Sequence, residues 1–262
     1  MLRELLYTLL GTGFTCLATV MGAAMVFFFR KDMSSNTQKV FLGFAAGVMT
    51  AAAVWSLLIP AMDMAREAGQ SPILPVGGGF VLGAAMLMVL DRLLPHLHLD
   101  SEAPEGLPAR LKRTTMLVLA VTLHNVPEGL AVGLAFGLAG NSSAMPLSGA
   151  LALSLGMALQ NFPEGAAISL PLKKEGLSNT RSFVYGALSG IVEPIAGVLG
   201  VLAAGTITGV MPWLLAFAAG AMIYVVVEEL IPEASLGEHS HTGTLSVMLG
   251  FLVMMVLDVA LG

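Results

Sequence analysis

Long apolar runs alternate with short polar breaks along almost the whole chain. Residues 5–29, for example, contain no charged side chain, and about 20 apolar residues suffice for a helix to cross the hydrocarbon core of a bilayer. The breaks at charged residues, prolines and glycine clusters predict eight membrane-spanning helices. The predicted spans are residues 5–29, 39–62, 73–95, 114–139, 145–172, 181–204, 211–234 and 242–261.

Composition agrees with this pattern. The 262 residues are 56% hydrophobic and 11% charged, whereas a soluble domain carries about 25% charged residues. The sequence therefore predicts an all-α integral membrane protein, with one polytopic domain over residues 1–262 in contact with the lipid bilayer. No basic tract suited to nucleic acid is present, and the single cysteine, Cys16, cannot form an intrachain disulfide.

The positions of Lys and Arg predict the orientation in the membrane. Ten of the twelve lie in or beside the first, third and fifth predicted connections, while Arg3 and Arg66 lie on the other side. Because short cytoplasmic loops are enriched in Lys and Arg, this distribution places both termini outside. The longest connection, about residues 96–113 between the third and fourth helices, is then a cytoplasmic loop. We expect a multi-pass protein of the plasma (cytoplasmic) membrane, which is the inner membrane of a bacterial cell.

A polar motif occurs twice within the apolar runs. The sequence 123-LHNVPEGLAVG-133 returns 36 positions later as 159-LQNFPEGAAIS-169. In each copy two polar residues at i and i+4 share one helix face: His124 with Glu128, and Gln160 with Glu164. Neighbouring membrane helices run antiparallel, so the two copies point in opposite directions. Transporters use opposed repeats of this kind to build a binding site at mid-membrane depth.

A third glutamate, Glu193, falls at the middle of the sixth predicted span. A charged residue at the centre of a membrane helix costs about 2.5–3.5 kcal/mol on insertion scales. Each of the three glutamates also adjoins a proline: Pro127, Pro163 or Pro194. Proline deprives a backbone carbonyl of its usual helical partner, and such irregular backbone is tolerated in a membrane only where it faces protein, water or a ligand. The pattern predicts a polar cavity.

Three carboxylates and one imidazole at one depth favour a divalent cation. A buried charge must be paired, bind metal or become neutral. One imidazole among oxygen donors suits first-row metals such as Zn²⁺, Fe²⁺ or Mn²⁺, whereas oxygen donors alone suit Mg²⁺ or Ca²⁺ better. The residues do not distinguish among the first-row metals.

The motifs HNxPEG and QNxPEG, with a Glu-Pro pair on the sixth helix, resemble the ZIP family of zinc and iron transporters, in particular its prokaryotic GufA-like branch. The resemblance extends over nearly the whole chain, including residues 225–262. It implies eight helices with both termini outside, and a central bundle that holds the metal site.

By position, the resemblance implies a centre for two metal ions bridged by Glu128 and Glu164. Asn161 stands where some relatives have Asp, so the sequence leaves open whether the site binds one ion or two. Glu228 on the seventh helix is a further candidate ligand, and Asp258 is a candidate for the outer pathway. The first ion would be bound by His124, Glu128, Gln160 and Glu164, and the second by Asn125, Glu128, Asn161, Glu164 and Glu193.

The expected function is uptake of divalent metal into the cytoplasm, with Zn²⁺ as the first candidate substrate and Fe²⁺, Mn²⁺ or Cd²⁺ as others. No organic cofactor is expected, and a homodimer is left open. A divalent-cation channel is an alternative. An intramembrane metalloenzyme is a weaker one, because the chain has no HExxH motif. The remaining histidines could bind metal weakly or be ordinary loop residues; they are His96, His98, His239 and His241.

Overall fold

The computed structural model describes residues 2–29, 33–93, 113–139, 145–206, 208–235 and 241–261, and within these ranges the chain is helical with no strand. We number the long helical segments in chain order. They are α1 (Leu2–Phe27), α2 (Ser35–Glu67), α3 (Ile73–Leu93), α4 (Arg113–Leu138), α5 (Leu147–Lys174), α6 (Asn179–Gly205), α7 (Met211–Ala234) and α8 (Thr242–Leu261).

Six of these segments are long and apolar enough to cross a membrane, which confirms a multi-pass helical membrane protein. The other two, α4 and α5, have 26 and 28 residues and carry the repeated polar motif. That all eight cross the membrane, with both termini outside, stays a prediction. Most of the expected loop at about 96–113 lies outside the described residues; Arg113 begins α4.

Burial separates central helices from peripheral ones. In the most apolar stretch of α2 and α7, 67% and 61% of residues are buried, against 28% in α3 and 22% in α8. The core consists mainly of Ala, Leu, Met and Val from α2, α4, α5 and α7. In a membrane, the exposed Leu, Ile and Val of α3 and α8 face lipid, so polar groups must lie on helix faces that point into the bundle.

In two contacts between a peripheral and a central helix, a glycine packs directly against the backbone of its neighbour. Gly250 of α8 packs on the carbonyl of Phe44 in α2, and Gly83 of α3 packs on the carbonyl of Phe217 in α7. A Cβ at either glycine would collide with that carbonyl. Small residues permit this close approach, which drives helix association in lipid.

These two helix pairs also share sequence. The tetrapeptide FAAG occurs at 44–47 in α2 and 217–220 in α7, LIP at 58–60 and 230–232, and MVLD at 88–91 in α3 and 255–258 in α8. Helices α2 and α3 are therefore an internal repeat of α7 and α8. The equivalent positions Phe44 and Phe217 supply the equivalent glycine contacts.

Both central members of the repeat change helical type before a proline. The backbone is π-helical at Ala53–Leu58 in α2 and at Val226–Leu230 in α7, and Pro60 and Pro232 follow. Proline cannot donate the usual helical hydrogen bond, and π segments accommodate the resulting break. The wider turn alters which side chains face inward, and in α7 it contains Glu228 and Glu229.

Candidate metal site

The two copies of the motif and Glu193 meet in the interior. All seven predicted ligands on α4, α5 and α6 are buried, none of them more than 6% exposed. They comprise three carboxylates, three amides and one imidazole. They are His124, Asn125 and Glu128 on α4, Gln160, Asn161 and Glu164 on α5, and Glu193 on α6.

The glycine of each Pro-Glu-Gly sequence fixes how closely a neighbouring helix approaches. Gly129 packs against the backbone of Glu193, so the carboxylate-bearing turn of α6 lies directly beside the Pro-Glu turn of α4. Gly165 packs in the same way against the backbone of Thr19 in α1. Each half of the repeated motif is therefore held against a different helix, one on α6 and one on α1.

Helix α6 is interrupted at the site. Its two helical parts, Asn179–Ser189 and Val192–Thr206, are separated at residues 190–191. Pro194 has no backbone N–H to donate to the carbonyl of Gly190. That carbonyl instead accepts a hydrogen bond from the backbone N–H of Glu193 at 3.1 Å. The Asn125 side-chain amide donates to the carbonyl of Ser189 at 3.0 Å. Asn125 thus stabilises the break from α4.

Asn161 organises the polar groups between α5, α6 and α1. Its Nδ2 donates to Glu193 Oε2 at 2.8 Å and to the carbonyl of Thr15 at 3.3 Å. Its Oδ1 accepts from Gln160 Nε2 at 2.5 Å. The second oxygen of Glu193, Oε1, accepts from the Thr19 hydroxyl at 3.3 Å. Both oxygens of Glu193 therefore have donors.

Five other oxygens of the predicted ligand set lack hydrogen-bond partners. These buried atoms belong to α4 and α5 and come from two amides and two carboxylates. They are Asn125 Oδ1, Gln160 Oε1, Glu128 Oε1 and Oε2, and Glu164 Oε2. Leaving a buried acceptor without a donor costs free energy, more so when it is charged. Oxygens in this state are the ones that a cation can satisfy.

His124 is bonded to α7. Its Nε2 lies 2.5 Å from Glu229 Oε1, and both side chains are buried. The adjacent Glu228 side chain is exposed, so the structure does not bring this predicted ligand to the seven others. Neither Glu229 nor Thr19 was predicted from the sequence as a contact of the site. The π-helical turn in α7 determines which of its two glutamates faces His124.

The three carboxylates Glu128, Glu164 and Glu193 are near enough to interact electrostatically. Yet in the described part of the chain no three His, Cys, Asp or Glu side chains are arranged to hold a metal ion together. Glu193 is turned toward Asn161 and Thr19, and His124 toward Glu229. Binding by the predicted set would need these side chains to exchange partners.

A second polar feature lies between α2, α5 and α8. The Ser56 hydroxyl donates to Asp258 Oδ1 at 2.7 Å, and Asp258 Oδ2 has no partner although it is buried. These two residues line a cavity of about 220 Å³, together with Asp63 and the Met145–Pro146 turn before α5. Asp63 is instead exposed and paired with Arg66 at 2.8 Å.

Of the four loop histidines, His96, His98 and His239 lie outside the described residues. His241 directly precedes α8, and its carbonyl accepts from the Leu245 N–H at 2.8 Å.

Comparison with known proteins gives a consistent result. The family model described as ZIP zinc transporter matches residues 100–258. The chain is 39% identical over 335 residues to human zinc transporter ZIP11, with 97% of each protein covered. It is 40% identical to zinc transporter GufA of Myxococcus xanthus, covering 94% of this chain and 95% of GufA. It is 38% identical to zinc transporter ZIPB of Bordetella bronchiseptica, covering 98% of this chain and 82% of ZIPB.

Proposed function

Because the chain belongs to the ZIP zinc transporter family, whose members are transporters and not enzymes, we propose that it carries Zn²⁺ into the cytoplasm through the buried residues of α4, α5 and α6. Membership in this family sets aside the intramembrane metalloenzyme. Fe²⁺, Mn²⁺ and Cd²⁺ share the ligand preferences that the site offers and are further candidate substrates.

The observation that supports the site most directly is the set of unpartnered oxygens. Glu128 has two and Glu164 one, and the amides of Asn125 and Gln160 add one each. The sequence holds no Lys or Arg between Arg113 and Lys173, so α4 and α5 supply no cation of their own at this depth. A divalent cation satisfies several acceptors at once and offsets the buried negative charge.

In this proposal one ion is bound by His124, Glu128, Gln160 and Glu164. A second would use Asn125, Asn161 and Glu193, with the bridging Glu128 and Glu164. Asn161 would bind the second ion through Oδ1, which now accepts from Gln160, and Glu193 through oxygens that now accept from Asn161 and Thr19, so the ion must share or replace these bonds. His124 must likewise leave Glu229 to bind the first ion.

The pathway follows from the same geometry. With both termini outside, the cavity lined by Ser56 and Asp258 lies on the outer side, and Asp258 Oδ2 is free to attract an entering cation. Glu229 lies on the inner side of the site and Glu228 beside it, where they receive the ion as it leaves. We place the protein in the cytoplasmic membrane with eight spans.

The test is uptake of radiolabelled Zn²⁺ into proteoliposomes that contain the parent, Glu128→Gln or Glu164→Gln at equal insertion. Both substitutions keep the side-chain shape and remove the charge, so we expect saturable uptake by the parent and its loss in both variants. Glu175→Gln makes the same chemical change at an exposed position after α5 and should leave uptake unchanged. Parent-like uptake by both site variants would disprove the site, and single-channel currents would favour a channel.

A further inference from the structure

The two halves of the repeated motif are packed in equivalent ways against unequal residues. Gly129, after Glu128, contacts the backbone of Glu193 on α6, and Gly165, after Glu164, contacts the backbone of Thr19 on α1. Thr19 therefore occupies, relative to α5, the place that Glu193 occupies relative to α4. Helix α1 supplies a hydroxyl where α6 supplies a carboxylate.

Thr19 also contacts Glu193 directly. Its hydroxyl oxygen lies 3.3 Å from Glu193 Oε1 and 3.4 Å from the carbonyl of Thr15. A hydroxyl has one proton, so it donates to only one of these acceptors at a time. When it donates to Glu193, the carboxylate is held between Thr19 and Asn161, which donates to the other oxygen at 2.8 Å.

The side chain of Thr19 packs closely against Gly190 at the break in α6. A Cβ at Gly190 would lie 3.0 Å from Thr19 Cβ and 3.2 Å from its Cγ2. Thr19 thus fills the space beside the interruption that precedes Glu193. Its backbone is in turn held by Gly165 of α5, so the hydroxyl is presented to Glu193 from a position fixed by both neighbouring helices.

Thr19 belongs to a row of buried threonines on one face of α1, with Thr8, Thr12 and Thr15. Thr12 and Thr15 donate to carbonyls of their own helix, at 2.7 Å to Thr8 and 2.9 Å to Thr12. Threonine commonly makes such bonds inside helices. Thr15 also comes within hydrogen-bonding reach of Glu193, but it donates to the Thr12 carbonyl at 2.9 Å, whereas the Thr19 hydroxyl lies 3.3 Å from Glu193 Oε1 and closer to it than to its own helix carbonyl.

We propose that Thr19 is a positioning residue for Glu193 and is the contribution of α1 to cation binding. This inference rests on the proposed function. By donating to Oε1, Thr19 keeps the Glu193 carboxylate facing the cluster; by turning to the Thr15 carbonyl, it releases that oxygen to the substrate cation. Without the hydroxyl, Glu193 loses one of its two side-chain anchors and binds the cation less well.

The first experiment compares Zn²⁺ uptake by Thr19→Val, Thr19→Ser and Thr12→Val in proteoliposomes. Valine keeps the shape and removes the hydroxyl, whereas serine keeps the hydroxyl. We expect Thr19→Val to raise KM about tenfold, the usual effect of losing one hydrogen bond to a charged group, with Vmax within about twofold. Thr19→Ser should restore KM. Thr12→Val removes a hydroxyl from the same buried face and should match the parent.

The second experiment asks whether Thr19 acts through Glu193. It measures the shift in Tm that Zn²⁺ causes in purified protein, for Thr19→Val in the parent and in a Glu193→Gln background. We expect Thr19→Val to reduce the shift in the parent and to add no further reduction to Glu193→Gln. Equal reductions in both backgrounds would overturn the inference.

Failure of this inference is distinguishable from failure of the proposed function. If the parent takes up Zn²⁺ and Glu128→Gln does not, but Thr19→Val has the KM of the parent, only the positioning role is disproved. The same holds if Thr19→Ser is as impaired as Thr19→Val. If Glu128→Gln and Glu164→Gln transport as well as the parent does, the site itself fails, and the role of Thr19 with it.

Discussion

His124 Nε2 lies 2.5 Å from Glu229 Oε1, and this contact joins the first motif on α4 to the π-helical turn of α7. The imidazole that is proposed to bind the first metal ion is therefore already occupied by a carboxylate of another helix. The metal ion and the Glu229 carboxylate therefore compete for the same His124 nitrogen.

We expect Glu229→Gln to lower KM for Zn²⁺. A neutral amide holds the imidazole less strongly than a carboxylate does, so His124 becomes available at a smaller free-energy cost; the decrease should be on the order of three- to tenfold. Vmax should fall as well, because the departing cation loses a negatively charged acceptor. Uptake kinetics in proteoliposomes measure both. Glu175→Gln, at an exposed position after α5, is the control, and a raised KM in Glu229→Gln would contradict the competition.

Gly165→Ala should destabilise the protein. The added methyl group would meet the Thr19 carbonyl, and backbone cannot move aside as a flexible side chain does, so we expect a loss of about 1–3 kcal/mol. The measurement is the Tm of the purified protein in detergent. Gly13→Ala on α1 adds the same group where nothing lies within 4 Å and should not lower Tm. Equal Tm values for the two variants would refute the packing described for Gly165.

Asp258→Asn should slow entry of the cation from outside. The substitution keeps the Ser56 hydrogen bond possible but removes the charge beside the cavity, so KM should rise severalfold while Vmax changes little. Asp63→Asn removes a charge from the same cavity, but from a side chain that is exposed and paired with Arg66. It should have the smaller effect, and the reverse order would argue against Asp258 as the entry residue.

The proposed topology predicts which sites a membrane-impermeant maleimide can reach in intact cells. In a Cys16→Ser background, a cysteine at Leu2 should react, because it is exposed at the outer end of α1. A cysteine at Glu175, exposed after α5, should react only once the cells are opened. Labelling of both or of neither in intact cells would contradict an outside amino terminus with eight spans.

The sequence was sufficient to predict the helical membrane architecture and the burial of both motifs. Apolar length identified the helices, and the i, i+4 pairs at mid-span identified polar faces that must avoid lipid. Both signals depend only on residues close together in the sequence, so they can be recognised without the structure. Family membership, expected from HNxPEG and QNxPEG, is confirmed by the comparisons.

Contacts that depend on helix irregularity or on distant helices were not predicted. The family resemblance favoured Glu228, but the π-helical segment changes the rotation per residue and turns Glu229 toward His124. Thr19 was missed because buried threonines are ordinary in membrane helices and its bond to Glu193 spans 174 positions. The internal repeat, by contrast, is visible in the sequence itself as the repeated FAAG, LIP and MVLD segments.

The glycine contacts between α2 and α8, and between α3 and α7, leave no layer of side chains between the partners. Where a glycine meets the backbone of the other helix, no side chain lies between the two that could change rotamer, so the distance between the helices is fixed there. The π-helical turn of α7 follows the part of that helix that packs against α3. It carries Glu229, whose carboxylate contacts His124. A change in this turn therefore alters the contact with His124 without disturbing the glycine packing of α7 against α3.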